Sequence, residues 1–135
     1  MSQKTYKASC HCRQVRYEAD LDLTAGSSRC NCSICARTRQ WGITVKPAQF
    51  RLLTGEESLR NYQFGSMTQN HYFCRVCGVH VFGQGYVEQI GGDYYSVNIA
   101  CLEEVSPTEL AAIPVRYMDG RHNKWLQTPA ETRYL

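Results

Sequence analysis

Seven of the eight cysteines in this chain fall into three tight clusters, Cys10-His11-Cys12, Cys30-Asn31-Cys32-Ser33-Ile34-Cys35 and Cys74-Arg75-Val76-Cys77. C-x-C and C-x-x-C spacings suit metal chelation better than a disulfide framework. They therefore favour folds in which distant segments meet at metal ions. The pairs Cys10/Cys12 and Cys74/Cys77 can supply four thiolates to one closed tetrahedral zinc site. The triplet supplies three and leaves a coordination position for something else. The four-cysteine set is expected to be structural and the triplet functional.

The first seven residues, Met1 to Lys7, contain no apolar stretch of the kind found in a secretory signal. Reduced cysteines and a cytoplasmic location are expected on that basis. A length of 135 residues corresponds to a single domain, residues 1–135. A hydrophobic fraction of 43% is typical of globular chains, and no apolar run reaches the roughly 18 residues a membrane span requires. A soluble protein with no membrane partner is expected. The formal charge of +3 counts every cysteine as neutral, and seven thiolates holding two zinc ions would bring it to zero. With no basic tail or aromatic-basic stripe, nucleic acid is not an expected partner.

Short segments of β-branched and aromatic residues, separated by turn residues, predict a mainly β protein built as a small folded-over sheet. They are Val15–Tyr17, Gly42–Lys46, Phe50–Leu53, Leu59–Tyr62, Asn70–Phe73, Val79–Phe82 and Tyr94–Ile99. Gly55, Gly65, Gly78, Gly83, Gly85 and the Gly91-Gly92-Asp93 tip are expected at the reversals. Helix signals are confined to Ser33–Arg39 and to Ser106–Ala112, the second opening on a serine N-cap followed by proline. The tail from Pro114 has no clear period, but Tyr117, Trp125 and Tyr134 give it aromatic anchors for docking on the sheet.

Cys10 and Cys12, two apart on an extended strand, would point to one face and reach one ion. Cys74 to Cys77, followed by Gly78, has the form of a hairpin knuckle whose amides turn toward sulfur. Cys101, His71, His80, His11 and His122 are candidates to close the triplet's fourth position, although a lone cysteine after a strand reads more readily as a small buried hydrophobe. Arg37 and Arg39, just beyond the triplet, are candidates to grip an acidic thiol, solvated surface arginine being the plainer alternative.

These residues resemble the glutathione-dependent formaldehyde-activating enzymes, grouped with the centromere protein V type of domain. The resemblance runs from Ser9-Cys10-His11-Cys12 through the triplet, Leu53–Leu59 and Phe73–Gly78 to Val97-Asn98 and Cys101-Leu102. It implies the Mss4-like fold of small antiparallel sheets. It also implies a structural zinc on Cys10, Cys12, Cys74 and Cys77 and a catalytic zinc on Cys30, Cys32 and Cys35, where glutathione sulfur can approach. The activity implied is that of a carbon-sulfur lyase forming S-hydroxymethylglutathione from glutathione and formaldehyde. The proton donor is open between Thr38, His80 and solvent. Arg13 stands where the family usually has glycine, so the turn there must take another conformation or accept strain.

Two other readings compete with this one. A zinc-stapled interaction module would have a closed second site and bind no thiol. A methionine sulfoxide reductase-like enzyme would need a redox cysteine outside the clusters, a role for which Cys101 is the candidate.

Overall fold

The computed structural model describes residues 3–135. It is mainly β, with ten strands and two short helices among the described residues. Strands β1 (Lys4–Ser9), β2 (Arg16–Leu21) and β5 (Phe50–Thr54) form a three-stranded antiparallel sheet in the order β1-β2-β5. The other seven are β3 (Ser27–Cys30), β4 (Trp41–Val45), β6 (Leu59–Tyr62), β7 (Gln69–Cys74), β8 (His80–Val87), β9 (Gly92–Asn98) and β10 (Val115–Met118). They form a second sheet in the order β10-β3-β4-β9-β8-β7-β6, antiparallel except for the parallel pair β10 and β3.

Alternation along β2 explains how the sheets meet. Tyr17, Ala19 and Leu21 are buried while Arg16, Glu18 and Asp20 between them are not. Tyr17 and Phe50 from the small sheet pack on Phe82 and Tyr95 from the large one. The ring centroids are 4.7 Å apart for Tyr17–Phe50, 4.7 Å for Phe50–Phe82 and 4.1 Å for Phe50–Tyr95. The Tyr17 hydroxyl, fully buried, donates to the Val81 carbonyl at 3.0 Å, so this aromatic core leaves no stranded phenol.

Helix α1 (Ser33–Thr38) follows β3 directly and ends at Arg39 in the left-handed conformation. Helix α2 (Pro107–Ala111) is capped by the Ser106 hydroxyl, which accepts from the Glu109 N–H at 3.1 Å, as its sequence predicts. No helix among the described residues is long and apolar enough to cross a membrane.

The mainly β expectation is met, with differences in detail. β1, β3 and β10 carry no strong alternating pattern and lie outside the strands that the sequence predicts. Gly83 and Gly85 lie inside β8 rather than at reversals. Neither has positive φ; a Cβ on Gly85 would lie 2.5 Å from Gln69 Oε1 and 2.8 Å from the Tyr94 hydroxyl. That glycine is needed for close approach, not for a turn.

Candidate metal centres

The structure brings Cys10, Cys12, Cys74 and Cys77 together, with one sulfur from each within 4.8 Å of the others. Cys10 and Cys12 sulfurs are 3.6 Å apart and Cys12 and Cys74 sulfurs 3.7 Å. Thiolates on a tetrahedron with zinc–sulfur bonds of about 2.3 Å sit about 3.8 Å from one another. A disulfide requires about 2.05 Å. The donor set and its spacing fit a metal ion, and all eight cysteines are free thiols.

Cys10 and Cys12 reach this arrangement through a turn between β1 and β2, not from an extended strand. The Cys10 carbonyl accepts from the Arg13 N–H at 3.2 Å, the Cys10 N–H donates to Val15, and the Val15 N–H lies 3.4 Å from the Cys10 sulfur. Arg13 takes φ 69°, so the position keeps the left-handed conformation and accepts the strain of a side chain. Its guanidinium pairs with Glu103 at 2.9 Å, tying the turn to the segment after Cys101. The second knuckle forms as its spacing implies: Val76 and Cys77 amides point at the Cys74 sulfur at 3.4 and 3.5 Å, and Gly78, at φ 79°, donates back to the Cys74 carbonyl.

Cys30, Cys32 and Cys35 also converge, and among the described residues no fourth Cys, His, Asp or Glu joins them. Cys30 ends β3, Cys32 is the N-cap of α1, and Cys35 lies in its first turn. The Cys32 N–H donates to the Cys30 sulfur at 3.3 Å, and the Cys30 and Cys35 thiols lie within 4.8 Å of the Cys32 sulfur, where they stabilise its thiolate together with the Cys35 and Ile34 amides at the helix start. These contacts pull the Cys32 thiol far below its usual range, to about 2. The neighbouring Cys32 sulfur holds Cys30 above its usual range, and the Cys30 and Cys32 sulfurs, with burial, hold Cys35 above its own. A metal ion bound there would displace the thiol protons.

The residue between the first two cysteines was not singled out by the sequence. Asn31 is buried, its amide N–H2 donates to Asp119 at 2.9 Å, and its amide oxygen accepts from the Arg121 N–H at 2.8 Å. The Asn31 hydrogen bond, followed by the contact with His122, holds the Asp119 carboxyl below its ordinary range. Gly120 is thereby pressed on the site: a Cβ there would lie 2.6 Å from the Cys30 sulfur and 2.4 Å from Trp125.

None of the candidates for a fourth ligand joins the triplet. Cys101 is buried and its thiol faces the His80 carbonyl at 3.8 Å. Burial, with the nearby Cys10 and Cys77 thiols, pushes it up to about 12, so it offers no ready thiolate for redox chemistry. His122 pairs with Asp119, His71 with the Tyr62 carbonyl, and His11 sits in the exposed turn between Cys10 and Cys12. His80 has both ring nitrogens buried without partners, and burial pushes it down to about 4. Of the proton donors weighed, Thr38 spends its hydroxyl on the Ile34 carbonyl. Arg37 folds back onto the Ser33 carbonyl, whereas Arg39 lies on the cleft beside Cys30 and Cys35, together with Arg29.

A model of the glutathione-dependent formaldehyde-activating enzymes matches residues 5–118, which include all seven clustered cysteines. The chain belongs to this family. A crystal structure of a Rhodobacter sphaeroides protein is also similar, at 37% identity and a TM-score of 0.69, the match covering 82% of this chain and 99% of that one. The matched residues end at Met118, just before the loop packed on Cys30.

Proposed function

We propose that this protein is a cytoplasmic, one-domain zinc enzyme that joins a small thiol to formaldehyde. Glutathione is the default thiol and S-hydroxymethylglutathione the product, which the enzyme can also cleave as a carbon-sulfur lyase. In this reading Cys10, Cys12, Cys74 and Cys77 hold a structural zinc, and Cys30, Cys32 and Cys35 hold a catalytic one. The observation that carries the proposal is the contrast between a four-sulfur group and a three-sulfur group with no further protein ligand.

A zinc ion held by Cys30, Cys32 and Cys35 would lower the pKa of an incoming thiol and so supply a nucleophile. The reaction adds S–H across C=O. Sulfur bonds to carbon, the carbonyl electron pair moves to oxygen, and oxygen takes up the proton the thiol released. The chain's own part is to fix the three sulfurs. β3 and the first turn of α1 set their directions, and Asn31 locks the loop carrying Gly120 and Trp125 against Cys30. The formaldehyde carbon needs no pocket of its own, and solvent serves as proton donor.

Exchange NMR of formaldehyde with glutathione tests the proposal on protein carrying two zinc ions per chain. Acceleration that disappears in Cys32→Ser supports it. No acceleration by the zinc-loaded protein refutes it and favours the interaction module.

A further inference from the structure

The cleft against the cysteine triplet is lined on one side by Arg29 and Arg39. Arg29 lies over the Trp41 ring, 4.9 Å from its centroid, and Trp41 is itself fixed by donating to the Ser27 hydroxyl at 2.8 Å. Arg39 is the left-handed C-cap of α1, and its guanidinium donates to the Tyr134 main-chain carbonyl at 2.6 Å. Neither has a carboxylate partner among the described residues, and of the seven arginines without one only these two line the cleft. Gln40 lies on the same cleft. Its amide nitrogen donates to Ser96 at 3.2 Å, while its oxygen is buried with no donor.

Two guanidiniums without carboxylates and one buried acceptor without a donor are complementary to an anionic peptide-like group. They stand next to Cys30 and Cys35, where the thiol end of such a molecule would be held. Leu135 lines the same cleft and leaves about 10 Å³ free, room for about one water. The Tyr134 carbonyl thus supplies Arg39 with an oxygen in the place a substrate carboxylate would take.

We propose that Arg29 and Arg39 are the specificity-determining residues of the thiol site, binding a carboxylate of a cysteinyl-peptide thiol, and that Tyr134-Leu135 is a placeholder which that carboxylate displaces. Gln40 accepts from an amide N–H of the same ligand. The assignment rests on the thiol-adding function proposed above. Arg37, two residues earlier and turned back on the helix, has no part in it.

Calorimetric titration of the zinc-loaded protein with S-methylglutathione tests this without requiring turnover. S-Methylglutathione is expected to bind at least about tenfold more tightly than its dimethyl ester, the loss corresponding to a charge-assisted hydrogen bond. Arg29→Gln and Arg39→Gln should each remove most of that preference. Arg37→Gln should retain it, and Arg39→Lys should restore part of it. A chain ending at Arg133 should bind S-methylglutathione more tightly than the full chain. Equal binding of acid and ester, no binding of either, or an unchanged preference in folded Arg29→Gln and Arg39→Gln overturns the assignment of the arginines. Weaker binding by the shortened chain overturns the placeholder. Formaldehyde exchange measured in parallel separates this proposal from the function. Acceleration equal for glutathione and its ester removes the arginines and leaves the function; carboxylate-dependent binding without acceleration does the reverse.

Discussion

Asn31 donates to Asp119 at 2.9 Å, joining the residue between two triplet cysteines to a loop 88 positions further along the chain. The loop is closed on itself by Lys124 donating to the Asp119 carbonyl and by Asp119 donating to Gln127, so the Asn31 contacts with Asp119 and with the Arg121 N–H orient the whole of it. Outer contacts of this kind hold metal ligands in place. Asn31→Ala and Asp119→Ala are each expected to weaken metal retention at the triplet about tenfold to a hundredfold. The double variant should be no worse than the poorer single one, since both remove the same link. Competition with a chromogenic chelator measures it, and additive losses would show that the residues act separately.

Gly120 has no room for a side chain between Cys30 and Trp125. Gly120→Ala is expected to force the loop outward and cost about 1–3 kcal/mol in urea unfolding. A variant as stable as the parent, with unchanged metal retention, would mean that the loop does not press on the triplet.

The cysteine spacing made both metal groups legible in the sequence, because thiolates two or three residues apart converge on one ion by local geometry alone. The β-branched and aromatic segments Val15–Tyr17 and Tyr94–Ile99 likewise mark part of the core, Val15, Tyr17, Val97 and Ile99. Other features depend on contacts between distant segments. β10 pairs in parallel with β3 and has no turn between them to mark it. Gly85 looked like a reversal because its role, leaving space for Gln69 and Tyr94, exists only once β7, β8 and β9 are side by side. Asn31 and Asp119 are ordinary polar residues until the tail returns to the triplet, and Arg29 becomes part of the cleft only when Trp41 stacks beneath it.

Removing one ligand from each metal group should have different consequences. Cys74 belongs to the set linking the β1–β2 turn to the β7–β8 turn, and losing an ion held there would forfeit stabilisation on the order of 10 kcal/mol. Cys74→Ser is therefore expected to be unfolded. Cys32→Ser should keep its fold and retain one zinc per chain. Circular dichroism with metal analysis decides the point, and equal damage from both would count against separate roles.

Arg51 joins β5 to β2 through Glu18 at 2.6 Å and Asp20 at 2.7 Å. Its guanidinium holds both carboxyls below their ordinary range, with Lys7 adding to the effect at Glu18 and Thr5 at Asp20. The stabilisation is complete above the unfolded carboxylate range, near pH 5 and higher, and fades as pH falls below about 4 through the depressed folded values. The urea midpoint of Arg51→Gln should thus lie below the parent's at pH 7, with the gap narrowing at pH 3. The effect is small because the pairs face solvent. A gap that widens in acid would contradict the sign.

The proposed function requires two metal groups, one of them open to a thiol. Cobalt-substituted protein, titrated with glutathione and followed through its visible ligand-field bands, reports this most directly. The prediction is two cobalt ions per chain, a spectral change from one of them alone, and loss of that response in Cys32→Ser. A spectrum that glutathione leaves unchanged would contradict an open position at Cys30, Cys32 and Cys35.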